Sequence, residues 1–250
     1  MLELVDIIIP SFHSRDLTAL TISSFEKFSN GYKFRYIVVE NSDDISYKDF
    51  IIGITGKNNV QWVQHPTKLI NSEANATAIE EGLKYVTSKR VFMCHNDVVA
   101  CHPTWMKYMM RKMDEGNMLV GFREDTTRIN ALHSSGLLVD TKIAKSVSMF
   151  PVYENDECIM DVCDSLTKYC RDNSLPYFKA PCTFNIKGLR EKLNKKYQNL
   201  TVDIGTNDNN KPIFIHLGRG ITRLFGRYHK KNRTTYEEWF QFVFKEFLTE

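Results

Sequence analysis

The chain opens with apolar runs separated by amphipathic stretches. Val5 to Ile9 is a β-branched run, interrupted by Asp6 and stopped by Pro10 and Ser11, and it predicts a buried first strand. Arg15 to Phe28 then places Leu17, Leu20, Ile22, Phe25 and Phe28 at helical spacing, and Asn30-Gly31 signals a turn. A second strand is predicted over Phe34 to Val39, ending in Glu40-Asn41-Ser42, and a third over Val60 to Val63. Asn71 to Val86 is an Ala-rich helix with Ile79, Leu83 and Val86 inward. Val91 to Cys94 is a continuously apolar fourth strand that ends abruptly in His95, Asn96 and Asp97. A helix follows from near Pro103, with Trp105, Met106, Met109 and Met110 on one face. Alternation of strands and helices predicts right-handed β-α-β units in a doubly wound, mainly parallel α/β sheet.

The second half is less regular. Strands are predicted at Met118 to Phe122, Gly136 to Val139, Tyr177-Phe178 and Ile213 to Ile215, with a charged loop over Arg123 to Asn130. Asp156 to Arg171 reads as a helix burying Ile159, Val162, Cys163, Leu166 and Tyr169. Lys187 to Tyr197 reads as a basic helix or loop, and Thr201 to Lys211 as a polar, mobile segment. The last strand runs into His216-Leu217-Gly218-Arg219-Gly220, and Tyr236 to Leu248 forms an amphipathic helix.

The 250 residues are 42% apolar and 25% charged, ordinary for a globular α/β protein with a sizeable core. The net charge of +3 does not point to nucleic acid. Basic residues do cluster between Arg219 and Arg233, at Arg223, Arg227, Lys230 and Lys231. Next to the aromatic C-terminal helix they suggest either peripheral membrane contact or a homodimer face. The plainer reading is a packed helix beside a solvated loop, because Glu237, Glu238, Glu246 and Glu250 oppose an anionic surface. The N-terminus does not read as a signal peptide, and no stretch approaches the roughly 20 apolar residues of a membrane span. Six cysteines without a C-x-x-C pair read as reduced thiols in a cytoplasmic setting, where the sequons at Asn75, Asn199 and Asn232 carry no meaning.

Four groups carry candidate chemistry, each against a plainer alternative. Asp97, with Asn96 and His95, is placed by a buried strand where open α/β sheets bind ligands; it reads as a metal and diphosphate site or as a cap. Glu40-Asn41-Ser42 reads as a base or ribose contact or as turn chemistry. His216 with Gly218, Arg219 and Gly220 suits a metal ligand beside a diphosphate-wrapping loop, or a structural histidine. Glu154, Asp156, Glu157, Asp161 and Asp164 supply a general base, or merely an acidic first turn of a helix.

Taken in order, these segments resemble the inverting glycosyltransferases of family 2, with the GT-A fold, over about residues 4–220. "VDIIIPSFHSRD" is similar to the opening strand and loop of that family, and "IVVENSDD" to its uracil-contacting segment. "HNDVVACHPTWMKYMM" resembles an x-x-D form of the D-x-D motif with its helix. "SSGLLVD" is similar to the acceptor-side strand, and "FIHLGRG" to the late His-containing segment. The resemblance implies Pro10, Ser11, Glu40 and Asn41 around the nucleoside, and His95 and Asn96 near the donor ribose and sugar. It implies a divalent metal, Mn2+ or Mg2+, on Asp97, with His216 as a further metal or diphosphate ligand; Arg219, with Arg223, is placed to add positive charge against the leaving diphosphate. "MDVCDSLTKYCRDNSLPYF" resembles the base-bearing motif, which makes Asp161 the first candidate base and Asp164 and Glu157 its reserves. Glu40 departs from the usual aspartate, Met160 from a glutamate, and Glu80-Glu81 from an asparagine. The loop 123–133 is positioned to cover the donor or to hold the acceptor, with Arg128 and His133 as its expected contacts. The implied organisation is a transferase domain over 1–220, with a nucleotide half of about 1–100 and an acceptor half of about 101–220, and a C-terminal extension over 221–250. The implied reaction moves a sugar from a nucleoside diphosphate, UDP favoured, to a glycan or lipid-linked hydroxyl. A catalytically silent nucleotide- or sugar-binding protein is the alternative. A nucleotidyltransferase is disfavoured because "PSFHSRD" contains no glycine, and a dehydrogenase because no G-x-G-x-x-G follows a strand.

Overall fold

The computed structural model describes residues 3–56, 59–226 and 233–249. Arg227, Lys230 and Lys231 of the basic cluster, the sequon at Asn232, and Glu250 lie outside the described residues. The first half follows the strand–helix alternation: β1 (Leu4–Ser11), α1 (Arg15–Lys27), β2 (Lys33–Glu40), α2 (Lys48–Thr55), β3 (Val60–Gln64), α3 (Asn71–Leu83), β4 (Arg90–Cys94), β5 (Val98–Ala100) and α4 (Trp105–Asp114). Then come β6 (Leu119–Gly121), β7 (Glu124–Asp125), β8 (Ala131–Leu132), β9 (Gly136–Asp140), α5 (Thr141–Ala144), β10 (Val152–Glu154), β11 (Glu157–Met160), α6 (Asp164–Asp172) and β12 (Tyr177–Lys179). The chain closes with α7 (Lys195–Gln198), β13 (Asp203–Thr206), β14 (Pro212–His216), α8 (Gly220–Leu224) and α9 (Tyr236–Val243), which runs on as a π-turn over Phe244–Leu248.

A seven-stranded sheet in the order β12-β6-β9-β4-β1-β2-β3 forms the centre. Its pairs are parallel except those of β9, which runs antiparallel to both β4 and β6. Successive strand residues face opposite sides, so β1 sends Ile7 and Ile9 into one core layer and Ile8 into the other. The first layer is aromatic, with Phe25 stacked on Trp105 at 4.6 Å between centroids and Phe92 edge-on to Trp105 at 5.3 Å. The second layer packs α3 closely on the sheet. A Cβ at Gly82 would come within 2.8 Å of Ile8 Cγ2, so the approach of helix to strand requires glycine there.

Four segments depart from the sequence reading. Residues 156–160 are not helical: β10 and β11 form a hairpin whose two loop residues, Asn155 and Asp156, have φ of 49° and 65°. Two consecutive positive φ values suit the tight hairpin turn that Asn and Asp favour, and the helix begins only at Asp164. Within the segment read as a polar, mobile loop, Thr201 to Lys211, residues 203–206 form a strand. β13 pairs antiparallel with β14 and buries Ile204 and Thr206, with Val202 buried just before it. Residues 48–55 and 98–100, assigned to no element, form α2 and β5. β5 joins β14 and β13 in a second, three-stranded sheet. α9 inserts Trp239 and Val243, and the π-turn Phe247, into a cluster with Leu17, Leu20, Ile215 and Leu217. Those three residues are covered by the protein itself, whereas Phe240 and Phe242 are partly buried and Phe244 is 49% exposed. No helix among the described residues is long and apolar enough to cross a membrane.

Candidate functional site

The site lies where the chain leaves the central sheet. β4 ends at Cys94, and β5 starts at Val98 in the second sheet. The intervening turn is pinned by its backbone: Thr21 Oγ1 donates to the carbonyls of Asn96 (2.8 Å) and Val98 (2.7 Å), and the Leu217 amide donates to that of Asp97 (2.9 Å). Asn96 Nδ2 donates to Ser14 Oγ. With the backbone so held, the side chains of His95 and Asp97 meet that of His216, at the end of β14.

Asp97 is 3% exposed, and its Oδ2 accepts the Gly220 amide at 2.8 Å. Its Oδ1 lies 3.3 Å from His216 Nε2 and 3.9 Å from His95 Nδ1, with no hydrogen bond of its own. Neither ring nitrogen of His216 has a hydrogen-bond partner, although Nδ1 faces Asp203 Oδ2 at 3.5 Å. Burial works against charge here, but His216, His95 and the Gly220 amide outweigh it and hold the Asp97 carboxyl far below the usual range. Burial would likewise push His216 down; Asp97 and Asp203 reverse this and raise it to about 9. His95, dominated by burial, falls to about 4. The pocket therefore holds a carboxylate, one readily protonated imidazole and one neutral imidazole. His95, Asp97 and His216 each offer a donor atom within 4.8 Å of the other two, a set able to hold a metal ion. Orphaned buried polar atoms beside a lone carboxylate fit such an ion, because they otherwise lose hydration without compensation.

His133, expected at the acceptor, is a third imidazole here, with its ring centroid 5.4 Å from that of His95 and 5.8 Å from that of His216. Burial and the nearby Arg123 keep it well below the usual histidine range. Asp203 was missed by the sequence reading because its segment reads as polar loop. It accepts Arg123 Nη1 at 3.0 Å and faces His216. The only signal available was the alternation Val202-Asp203-Ile204.

Glu40 is fully enclosed. Its Oε1 accepts the amides of His13 (3.2 Å) and Ser42 (3.0 Å), and its Oε2 accepts the Tyr47 hydroxyl. Ser11 Oγ is shared among Ser14, Thr18 and Tyr47, and Pro10 is buried within β1. Asn41 Nδ2 donates to the Ala74 carbonyl at 2.7 Å, while its buried Oδ1 has no partner. These residues shape the loops after β1 and β2. Beside them opens a cleft of about 340 Å³, whose lining includes His13, Asp44, Tyr47 and Phe50.

The acidic candidates divide. Asp164 is 1% exposed; its Oδ2 accepts the Asp161 amide at 2.7 Å and Arg128 Nε at 3.2 Å. Asp161 is partly exposed, 3.4 Å from Arg128 Nη2, and its charge reaches His95. Glu157 is exposed on β11. Arg128, expected at an acceptor, is clamped by Asp125, Asp161 and Asp164. Arg219 is exposed, with φ of 57°. Arg223 donates to the carbonyls of Gly218 (2.8 Å), Leu217 (3.4 Å) and Thr234, tying the loop together.

No protein-family model matches the chain, and no curated protein matches it in sequence. Solved structures do. A mannosyltransferase from Pyrobaculum calidifontis, in complex with GDP-Man and Mn2+, matches 72% of this chain and 55% of its own, at TM-score 0.54 and 11% identity. Glucosyl-3-phosphoglycerate synthase from Mycobacterium tuberculosis, in complex with Mn2+, UDP and phosphoglyceric acid, matches 72% of this chain and 68% of its own, at TM-score 0.51 and 12% identity. The chain has the GT-A glycosyltransferase fold, and at these identities the likeness concerns the fold. It spans just over half the length of the mannosyltransferase chain.

Proposed function

We propose that the protein is a metal-dependent inverting glycosyltransferase that moves a sugar from a nucleoside diphosphate, UDP favoured, to a hydroxyl of a glycan or lipid-linked acceptor. The observation that carries this reading is the buried His95–Asp97–His216 group with its orphaned donor atoms, at the end of β4 in a GT-A fold. The two similar structures were each determined with Mn2+ and a nucleotide or nucleotide sugar. A divalent cation held there would offset charge building on the leaving diphosphate.

The chain's own residues supply the rest. Pro10, Ser11, Glu40 and Asn41 fix the two loops around the nucleoside, and His13, Asp44 and Tyr47 line the adjoining cleft. Asn96 holds the turn and His95 faces the donor sugar. Arg219, exposed beside Gly220, contributes positive charge to the diphosphate. Asp161 is the general base that takes the acceptor hydroxyl proton. Asp164 fixes the Asp161 backbone, and Arg128 holds both carboxylates in place. Glu157, on the exposed hairpin, is the least suited of the three acids to this step.

Calorimetric titration with UDP, GDP, dTDP and CDP, with and without Mn2+, tests the donor site. One nucleotide should bind only with metal, and Asp97→Ala should abolish that binding. If no nucleotide binds in either condition, the reading fails. The engagement of Asp161 and Asp164 by Arg128 favours a second reading, a binding protein without turnover. Slow hydrolysis of the matching nucleotide sugar by the wild type rules that out.

A further inference from the structure

Resting on the transferase reading above, we propose that the acceptor is an uncharged glycan, a disaccharide or longer, laid along a ladder of side chains with its reacting hydroxyl at Asp161 and a neighbouring sugar ring stacked on Phe184. The ladder starts at the candidate base. Asp161 Oδ2 lies 3.4 Å from Arg128 Nη2, which lies 3.3 Å from Asp125 Oδ2. Asp125 Oδ2 in turn faces Arg123 Nη2 at 3.6 Å, and the Arg123 guanidinium sits 3.9 Å from the centre of the Phe184 ring. The four polar side chains keep between 11% and 24% of their surface exposed, so they form a floor that a ligand can reach.

Phe184 is 42% exposed, yet its neighbours are pinned on both sides. The Thr183 amide donates to the Ile204 carbonyl at 3.0 Å, and Thr183 Oγ1 accepts the Ile204 amide at 2.9 Å. Asn185 grips the backbone of Glu124 in both directions, accepting its amide at 2.9 Å and donating to its carbonyl at 2.8 Å. Arg123, against the ring, is itself fixed by Asp203 at 3.0 Å. Because the guanidinium covers one face of Phe184, the exposed surface is the opposite face and the edge. A ring so placed adds little burial to the fold, but as a preorganised platform it loses little freedom when a ligand docks. The aromatic face carries negative potential, which attracts the C–H groups on the flat side of a sugar ring. The hydroxyls at the rim of that sugar meet the donors and acceptors that alternate along the ladder.

Charge narrows the acceptor further. Arg123 and Arg128 are shared among Asp125, Asp161, Asp164 and Asp203, four carboxylates to two guanidiniums. Lys179, at the margin, is paired with Glu124 at 2.6 Å. A phosphate or uronate on the acceptor would meet this excess of carboxylates and would have to break an ion pair to reach a guanidinium. A neutral polyol incurs neither cost.

The test uses the full chain, fluorescently labelled and loaded with Mn2+ and the nucleotide identified by the titration above. It is applied to an array of neutral glycans, uronate- and phosphate-bearing glycans, and polyprenyl-diphosphate-linked sugars. Neutral glycans should be retained in preference to the other two classes. Calorimetric titration with the best of them then reads the platform. Phe184→Ala should weaken binding at least about tenfold. Phe184→Leu should weaken it nearly as much, because that side chain stays apolar but has no π-face. Phe184→Trp should bind as tightly as the wild type or more tightly. Metal-dependent nucleotide binding by each variant checks that the protein is folded. Preferential retention of the anionic or lipid-linked sugars, or wild-type affinity in Phe184→Ala or Phe184→Leu, overturns the inference. Retention of no glycan by a protein that binds nucleotide with metal also overturns it and leaves the transferase reading standing. Failure to bind any nucleotide overturns both.

Discussion

Gly220→Ala tests the geometry of the centre with a single methyl group. Gly220 opens α8, and its φ lies outside the left-handed region, so alanine's backbone preferences are not offended. In an unobstructed helix the change stabilises by about 0.5–1 kcal/mol, through lower entropy of the unfolded chain. Here the new Cβ would lie 2.4 Å from Asp97 Cβ, 2.9 Å from Oδ2 and 3.0 Å from Cγ. Asp97 cannot swing aside, because Leu217 and Thr21 hold the backbone of its turn. Overpacking of this kind costs about 1–3 kcal/mol and reverses the sign. Gly53, inside α2, is the control, since nothing lies within 4 Å of its would-be Cβ. For a chain of this length each kcal/mol moves Tm by about 2–4 °C. Gly53→Ala should therefore raise Tm by roughly 1–4 °C and Gly220→Ala lower it by roughly 2–12 °C. Only Gly220→Ala should weaken Mn2+ binding, by about 10–100-fold, because it breaks the amide contact that orients Asp97. Thermal melts and calorimetry on both variants decide the matter. A Gly220→Ala protein that melts at or above the wild type and binds Mn2+ normally would refute the reasoning.

The acidic pair separates when a turnover assay is added to those two measurements. Asp161→Asn should lower turnover by about 10²–10⁴-fold while leaving metal-dependent nucleotide binding and Tm near wild type. Asp164→Ala should cost about 1–3 kcal/mol of stability, because it leaves the Asp161 amide and Arg128 without their shared acceptor; unchanged turnover in Asp161→Asn would move the base elsewhere. Asp6 governs acid sensitivity far from the site. Burial opposes its charge, but Arg35 Nε (2.7 Å) and the Thr87 (2.7 Å) and Ser88 (2.8 Å) amides prevail and lower it below 3.8. A depressed carboxyl contributes stability above its unfolded value and loses it as pH falls through the folded one. The stability gap between wild type and Asp6→Asn in urea melts should therefore be full at pH 7 and close below pH 3.8. A gap independent of pH would refute that assignment.

Legibility in the sequence followed sequence distance. β1, β2 and β4 announce themselves because strands buried on both faces must be apolar at nearly every position, as Val91 to Cys94 is, while the edge strand β3 shows as a short apolar run around an exposed Gln61. β13 does not, since one of its faces carries Asp203 toward His216 and its pairing partner lies beyond a polar turn. The acids at 154–164 mimic a helix N-terminus, and the competing signal, Asn155-Asp156 at a tight turn, is only two residues long. Asp97 and His216 stood out as polar residues closing apolar strands. What joins them did not. Gly220 meets Asp97 across 123 positions, and Arg128, alone in a charged loop, shows no sign of the three carboxylates that surround it.

The placement of the centre follows from topology more than from any one side chain. β4 lies in the central sheet and β5 in the second, so the chain must change sheets within the residues 95–97. At such a switch the backbone groups lose their ladder partners and need others. Thr21 from α1 and Leu217 from the loop after β14 provide them, and both anchors lie on elements packed in the core. The same pairing that seats β14 against β5, with His216 opposite Val98, delivers the histidine beside Asp97. A one-residue slip in that register would send His216 to the other face of the sheet. The register is held by Phe214 and Ile215, which point into opposite core layers, Phe214 stacked on Phe122 at 4.5 Å and Ile215 packed among the α9 contacts. The apolar residues of a three-residue pairing thus fix the distance between two metal-ligand candidates more than a hundred positions apart, and the polar contacts of Thr21, Gly220 and Asp203 then orient the side chains within it.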